Sequence, residues 1–482
     1  MITSVTAIPQ LWHRRLIQQM AKINPIFLTG CPRCLTNNYF KFRTGQPISF
    51  PNFVLMKKIA LLLVMLLASG GVAAQNMGPL QYYRANDKTG INTFETPKTT
   101  DVDFDGLRVR IGGANTLQFQ SLTQSGASEN LHDLVPNFNL ATSNLDLDVQ
   151  LHNGLRMHLR VYLSSRHHPE AWVKDGYLQI DRLDFIRDGF LSWIMDRVTF
   201  KVGHMEINYG DARFRRTDNG MALHNPFVGN YIMDAFTTEV AGEVYYQHNG
   251  FLAMAGITNG KLDQGTIRVD PVPRPSLIGK LGHDRQWSHD LRVRLTGSAY
   301  VTRRASGERY CPICRGPSGG VNLYKADRAG ARYYDIMEAD RMSGRFDPDF
   351  SDREGGKMTA VMINPFLKYR GLEFFGVLEQ ATGRAGLETE NRTVRHYGAE
   401  LLYRIGPEEN FYLGGRYNLV TGERTNGDEI DISRINIGGG WFLTNNILIK
   451  IEYVTQKYDG FTTGILRDAE FSGVVMEAVV SF

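Results

Sequence analysis

The sequence predicts an all-β chain: a transmembrane antiparallel up-and-down β-barrel of about sixteen strands, preceded by a signal peptide. Three observations predict it. Apolar residues recur at every second position in the last strands, up to the final residue. Short turns alternate with long loops. Charged side chains fall on the parity opposite the apolar ones. In 433–443, Ile435, Ile437, Gly439, Trp441 and Leu443 share one face. After Thr444-Asn445-Asn446 the pattern resumes with Ile447, Ile449, Ile451 and Tyr453, against Lys450 and Glu452 on the other face. Strand side chains alternate sides, so each strand presents one apolar and one charged wall. A soluble sandwich also alternates, but a membrane barrel keeps the pattern to its end and encloses the charged wall.

The front of the chain reads differently. Met56-Lys57-Lys58, the apolar run 59–67 and the small-residue end Val72-Ala73-Ala74 make a signal peptide at 56–74. The run is too short to cross a bilayer as a helix. Residues 1–55 then read as an over-extended gene start or a leader. Residues 1–74 hold eight basic side chains and no acid, which leaves 46 basic against 50 acidic in the remainder. The formal +4 of the whole chain therefore says nothing about nucleic acid, and no nucleic-acid partner is expected. Two cysteines fall in the leader. Cys311 and Cys314 remain, spaced as a small local disulfide in an exported loop rather than as half a metal site.

Residues 75–105 are polar and aperiodic and read as an extended periplasmic lead-in; 106–482 form the barrel. The strands read as 106–120, 143–151, 155–163, 176–186, 197–206, 237–247, 251–257, 276–285, 291–301, 359–369, 372–380, 395–405, 410–419, 433–443, 447–457 and 471–482. Tight turns fall at His152-Asn153-Gly154, 247–250, Arg370-Gly371 and 444–446, where Asn and Gly tolerate positive φ. The long connections are 121–142, 207–236, 302–358 and 381–394. Short periplasmic turns and long external loops are the asymmetry of outer-membrane barrels.

Parity places Arg108, Arg110, Arg156, His158, Arg160, Arg292, Arg294, Lys368, Arg404, Arg416, Arg434 and Lys450 on the inner wall. Asp146, Asp148, Glu373, Glu379, Glu400, Glu452 and Glu477 share it. Such charges either pair across strands or bias the lumen, here modestly toward anions. The third external loop, 207–236, carries Arg213, Arg215 and Arg216 between Asp211 and Asp218. Folded inward it would make a charged constriction; left outside it is a solvated loop or a subunit contact. The candidate anion-binding residues are thus Arg213, Arg215 and Arg216 in the loop, with Arg108, Arg110, Arg156, Arg160, Arg292 and Arg294 on the wall.

The stretch Lys201-Val202-Gly203-His204-Met205-Glu206-Ile207-Asn208-Tyr209-Gly210, the Arg-Arg-Thr-Asp-Asn that follows, the stretch 176–181 and the final Phe482 resemble general and phosphate-selective porins of Gram-negative bacteria, the porin O/P-like group. The resemblance implies a sixteen-stranded homotrimeric porin whose third loop narrows the lumen. It also implies a terminal Phe482 read by the barrel-assembly machinery. Acids share the inner wall here, so the resemblance carries the architecture and the loop's role.

The function these features predict is a water-filled channel in the bacterial outer membrane for passive diffusion of small hydrophilic solutes, with a preference for phosphate-like anions. No catalysis and no cofactor are expected, and outer-membrane lipid surrounds the barrel. One alternative is a plugged structural or adhesive barrel that binds a partner through 302–358. A barrel-type hydrolase using His158, His204 or Ser298 is a further alternative; the chain holds no G-x-S-x-G and no H-E-x-x-H.

Overall fold

A computed structural model describes residues 78–482 apart from 129, 165–170, 261–271, 273, 306–309, 312–315, 318–322, 325–332, 338–341 and 351–354. The leader at 1–55, the signal peptide at 56–74 and the side chains of Cys311 and Cys314 lie outside what is described. Sixteen barrel strands follow in chain order. They are β1 (Arg108–Ser125), β2 (Thr142–His152), β3 (Leu155–Ser164), β4 (Trp172–Ile180), β5 (Val198–Glu206), β6 (Thr238–His248), β7 (Phe251–Thr258) and β8 (Ser276–Gln286). The second half comprises β9 (Leu291–Ala305), β10 (Gly356–Tyr369), β11 (Leu372–Ala385), β12 (Arg392–Ile405), β13 (Phe411–Glu423), β14 (Glu429–Thr444), β15 (Ile447–Asp459) and β16 (Glu470–Ser481). Each pairs antiparallel with its sequence neighbour, and β1 pairs with β16, Leu117 facing Ala478, so no edge is left open. Closure pairs the strands with one another all the way round, the condition that lets strands cross a bilayer. With an apolar outer belt and an enclosed polar wall, the molecule is a bacterial outer-membrane barrel.

Parity is as the alternation requires. Leu145, Val202, Leu295, Leu401, Leu413 and Ile437 face outward and are exposed, while Asp146, Arg294, Glu400, Arg416 and Asn436 on the other parity are buried. Asn249 and Gly250 close the β6–β7 hairpin at φ 49° and 83°, the two positive values a type I′ turn needs. A charge at an outward mid-strand position has no water to meet. Ile437→Arg is therefore expected to cost about 2–4 kcal/mol, measured as a shift of the folding midpoint in liposomes against Ile437→Leu; equal midpoints would contradict the assigned face.

Several boundaries differ from the sequence reading; most strands run a few residues further toward the external loops, as β1 to Ser125 and β14 from Glu429. The fourth strand is Trp172–Ile180, not 176–186, because Asp181 leaves the ladder to accept bonds from Lys98, Thr199 and Gln179. The connection at 381–394 is only six residues, since β11 continues to Ala385 and β12 begins at Arg392. Within 75–105, read as an extended periplasmic lead-in, residues 81–98 run along inward-facing side chains of the barrel. Asn86 donates to Asp146 at 3.0 Å, Asn92 to Glu373 at 2.7 Å, and Glu95 pairs with Arg294 at 2.7 Å.

The interior is also less watery than a purely charged wall would make it. Phe366, Phe375, Val377, Val394, Ile432 and Val475 point inward and are buried. They pack with Phe94 of the N-terminal segment and with Tyr209, Tyr231 and Ile232 of the third loop. The described part of the 306–355 connection joins them: Leu323, Tyr324, Tyr333 and Ile336 are buried, and Phe236 donates its amide to Leu323.

Candidate functional site

The connection between β5 and β6, residues 207–237, is the third external loop, and it folds into the barrel. Charge anchors its start. Asp211 accepts from Arg294 at 2.8 and 2.9 Å and from Thr296 at 2.7 Å, and pairs with Lys280 at 2.6 Å. Burial pushes its carboxyl up, but Lys280 and Arg294 outweigh that and hold it below its ordinary range. Gly210, at φ +72°, permits the sharp entry; a Cβ there would lie 2.4 Å from the Met362 sulfur. The apex, Asp218 to Met221, rests on β1 and β2, where Thr116 donates to the Gly220 carbonyl and Asn144 accepts from its amide. Lys450 donates to three carbonyls of the returning limb, those of Ala222, Asn225 and Phe227. Arg416 and Arg434 bind the carbonyls of Gly229 and Asn230. These three cations of the predicted inner wall thus hold the loop rather than line an open channel.

The three loop arginines separate. Arg215 is buried and bridges Glu373, Glu400 and Asn92. Arg216 is buried, makes a two-point pair with Asp234 at 3.0 and 2.7 Å, and lies 3.7 Å from the centre of the Phe236 ring, bracing one limb of the loop on the other. Only Arg213 faces the residual cavity, with Glu206 at 3.2 Å. The 3₁₀ turn Ala212–Arg215 aims Arg213 and Arg215 to different walls, and Arg216, just past its end, leaves in extended backbone toward Asp234.

That cavity lies between β2–β6 on one side and the third loop and N-terminal segment on the other, with about 1010 Å³ of space counting its mouths. Arg156 and Arg160 line it as expected, each tied to an acid: Arg156 to Asp148 at 2.6 Å, Arg160 to Asp146 at 2.7 Å. Arg110 adjoins it through a 2.6 Å bond to the Tyr83 hydroxyl. Arg108 stays at the chain entry on Asp105, and Arg292 and Arg294 lie elsewhere, on Asp284 and Asp211. Two lining cations were not among the candidates. Lys201 has no carboxylate partner among the described residues and stands 5.1 and 5.7 Å from the ring centres of Tyr177 and Tyr245. Among the described residues Arg84 bonds to the carbonyls of Gly90 and Phe214. Burial, with Arg213 beside it, pulls the Arg84 guanidinium down to about 9, so it remains charged at neutral pH. Lys201 was legible: Val198, Phe200 and Val202 face out, so the residues between them face in. Nothing in the sequence marks Arg84.

The hydrolase candidates are not joined. His158 bonds Asp148 at 2.9 Å, while His204 Nε2 and Ser298 Oγ have no hydrogen-bond partner among the described residues.

His224, on the returning limb, is buried with no partner for Nδ1 among the described residues. Burial and then Arg84, Arg160 and Arg215 hold its imidazole well below 6.5. The docked loop therefore binds fewer protons than the released loop, and docking is strongest above pH 6.5 and weakens as pH falls below it. Tryptic cleavage after Arg213, Arg215 or Arg216 is expected to quicken from pH 7.5 to pH 5 once the trypsin rate itself is normalised, and His224→Leu to abolish the increase. A pH-independent rate in the unmodified protein would contradict this.

No protein-family model and no curated protein matches the chain. Solved structures of similar outline include an anion-selective porin from Comamonas acidovorans, 12% identical, with 78% of this chain and 100% of that chain covered at a TM-score of 0.45. OprB of Pseudomonas putida is 10% identical, with 78% and 94% covered at 0.47. The outer-membrane channel DcaP of Acinetobacter baumannii is 11% identical, with 79% and 99% covered at 0.43.

Proposed function

We propose that this barrel is a porin that passes small hydrophilic solutes by passive diffusion through the cavity beside the third loop, and that it prefers anions, phosphate-like ones among them. The observation that carries the reading is Lys201 with Arg84: two cations that line the lumen with no carboxylate partner among the described residues. Most other inward charges among the described residues hold each other or the loop, and a charge neutralised by its partner adds little to the field a passing ion meets. A lysine over two tyrosine rings keeps part of its field free for a passing anion, replacing some of the hydration that anion loses. Arg213, Arg156 and Arg160 add to the field in proportion to how loosely their acids hold them. No step of this function needs chemistry. Assembly as a homotrimer and reading of Phe482 by the barrel-assembly machinery belong to the same proposal. Phe482 suits the latter, since its backbone pairs with Gly113 while its side chain is exposed.

Swelling of liposomes that contain the protein tests passage itself. Swelling in phosphate and small sugars, faster for phosphate than for a cation of matched size, is expected. Absence of swelling from a folded barrel would overturn the channel. It would favour the second reading, a plugged barrel that binds a partner through 302–358. One observation speaks for that reading: Leu323, Tyr324, Tyr333 and Ile336 of this connection are buried with the third loop.

A further inference from the structure

The N-terminal segment is the least expected occupant of the barrel. It is fixed at the end where the short turns and both barrel termini lie, the periplasmic end. Gln81 donates to Asn153 and accepts from the Gly154 amide in the β2–β3 turn. Lys88 donates its amide to Asn445 in the β14–β15 turn. Lys98 pairs with Asp181 at 3.0 Å and donates to the Val198 carbonyl, at the β4–β5 turn. The Lys88 ammonium also reaches Asn410 in the β12–β13 turn, so the ties run half-way round the rim and one stretch of chain between them crosses the mouth.

Between these ties the segment rises to meet the third loop. The Glu95 carboxylate takes Arg294 at 2.7 Å, Lys280 at 2.9 Å and Asn208 at 3.0 Å, joining segment, wall and loop at one point. Phe94 packs edge-on against Phe214 of the loop and Phe366 of the wall, at 5.8 and 5.4 Å. Arg84 passes under the loop to the Phe214 carbonyl and presents the rest of its guanidinium to the cavity. Surface segments held by water-exposed bonds fray easily; this one has a buried, multiply paired carboxylate at its centre.

We propose that residues 81–98 are an internal strap that narrows the lumen from the periplasmic side, and that Arg84 on it is a selectivity-determining residue of the pore. The proposal rests on the channel reading above and adds a second narrowing element to the third loop. The strap acts by position: it occupies cross-section that the wall leaves free and sets a fixed cation opposite Lys201 in the same cavity.

Single-channel recording in a KCl gradient tests it on the full chain, on a deletion of 81–98, on Glu95→Ala/Lys98→Ala and on Arg84→Ala. The deletion is expected to raise conductance by about twofold or more and to weaken anion preference. The double variant, which frees the strap without removing it, is expected to give larger or flickering steps. Arg84→Ala is expected to lower the anion-to-cation permeability ratio severalfold. If the full chain conducts and all three variants match it, the strap is overturned and the porin stands. If the full chain is silent and the deletion conducts, the strap stands and the passive channel falls. Silence of both as folded barrels overturns both. Should the deletion fail to fold, unchanged steps in the double variant together with an unchanged ratio in Arg84→Ala overturn the strap.

Discussion

Replacing Arg215 with alanine is expected to release the third loop from the wall and to destabilise the folded barrel by about 3–5 kcal/mol. The guanidinium is buried and joins carboxylates on two strands, Glu373 on β11 and Glu400 on β12, to Asn92 of the strap. Its removal leaves two buried acids short of a donor. Arg404 still holds Glu373 at 2.9 Å and Arg416 still holds Glu400 at 2.7 Å, which puts the cost toward the lower end of that range. The apolar packing of Arg215 on Phe375 is lost as well. Arg215→Lys should recover only part, because one ammonium cannot span three acceptors arranged for a planar fork. Urea midpoints in detergent micelles measure the loss, and single-channel traces should show flicker as the loop moves. A midpoint unchanged from the unmodified protein would mean that Arg215 does not anchor the loop.

The second large effect is electrical. Lys201→Glu is expected to lower the anion-to-cation permeability ratio by about tenfold or more, because a two-unit change of charge at a few ångströms is worth about 1–2 kcal/mol even through water. Lys201→Gln, which removes the charge alone, should give about half that change in free energy. Conductance should fall little in either, since neither side chain is longer than lysine. A ratio that ignores position 201 would place the ion path elsewhere.

Alternation made the wall legible. Ile435, Ile437 and Trp441 against Arg434, Asn436 and Gly440 could be assigned to outside and inside from the sequence because a strand has no third option. Turn chemistry at Asn249-Gly250 and loop-length asymmetry gave the count and the orientation of the strands. The boundary errors arose where alternation ran on without a backbone partner, as at 181–186, or where pairing continued past the apolar run, as at 381–385.

The site was legible only in part. Position in the chain pointed to 207–236, which does fold into the barrel, but three arginines in four residues could not reveal that of the three Arg213 alone lines the cavity. Their separate destinations depend on Glu373, Glu400 and Asp234, up to 185 residues away in sequence. The inner cations of β13, β14 and β15 looked like pore lining because periodicity reports a direction and not a partner; each meets a loop carbonyl. The strap was invisible for the same reason. An aperiodic polar segment has no pattern to say which polar wall satisfies it, and Asn86, Asn92 and Glu95 find theirs inside the barrel.

In the proposed porin, a conducting path beside the third loop owes its preference for anions to Lys201 and Arg84. The zero-current potential of the unmodified protein in a planar bilayer, across a tenfold gradient of KCl, tests this directly. The expected potential has the sign set by chloride, moves toward zero in Lys201→Gln and crosses it in Lys201→Glu. A potassium-signed potential in the unmodified protein, or one that neither substitution moves, would contradict it.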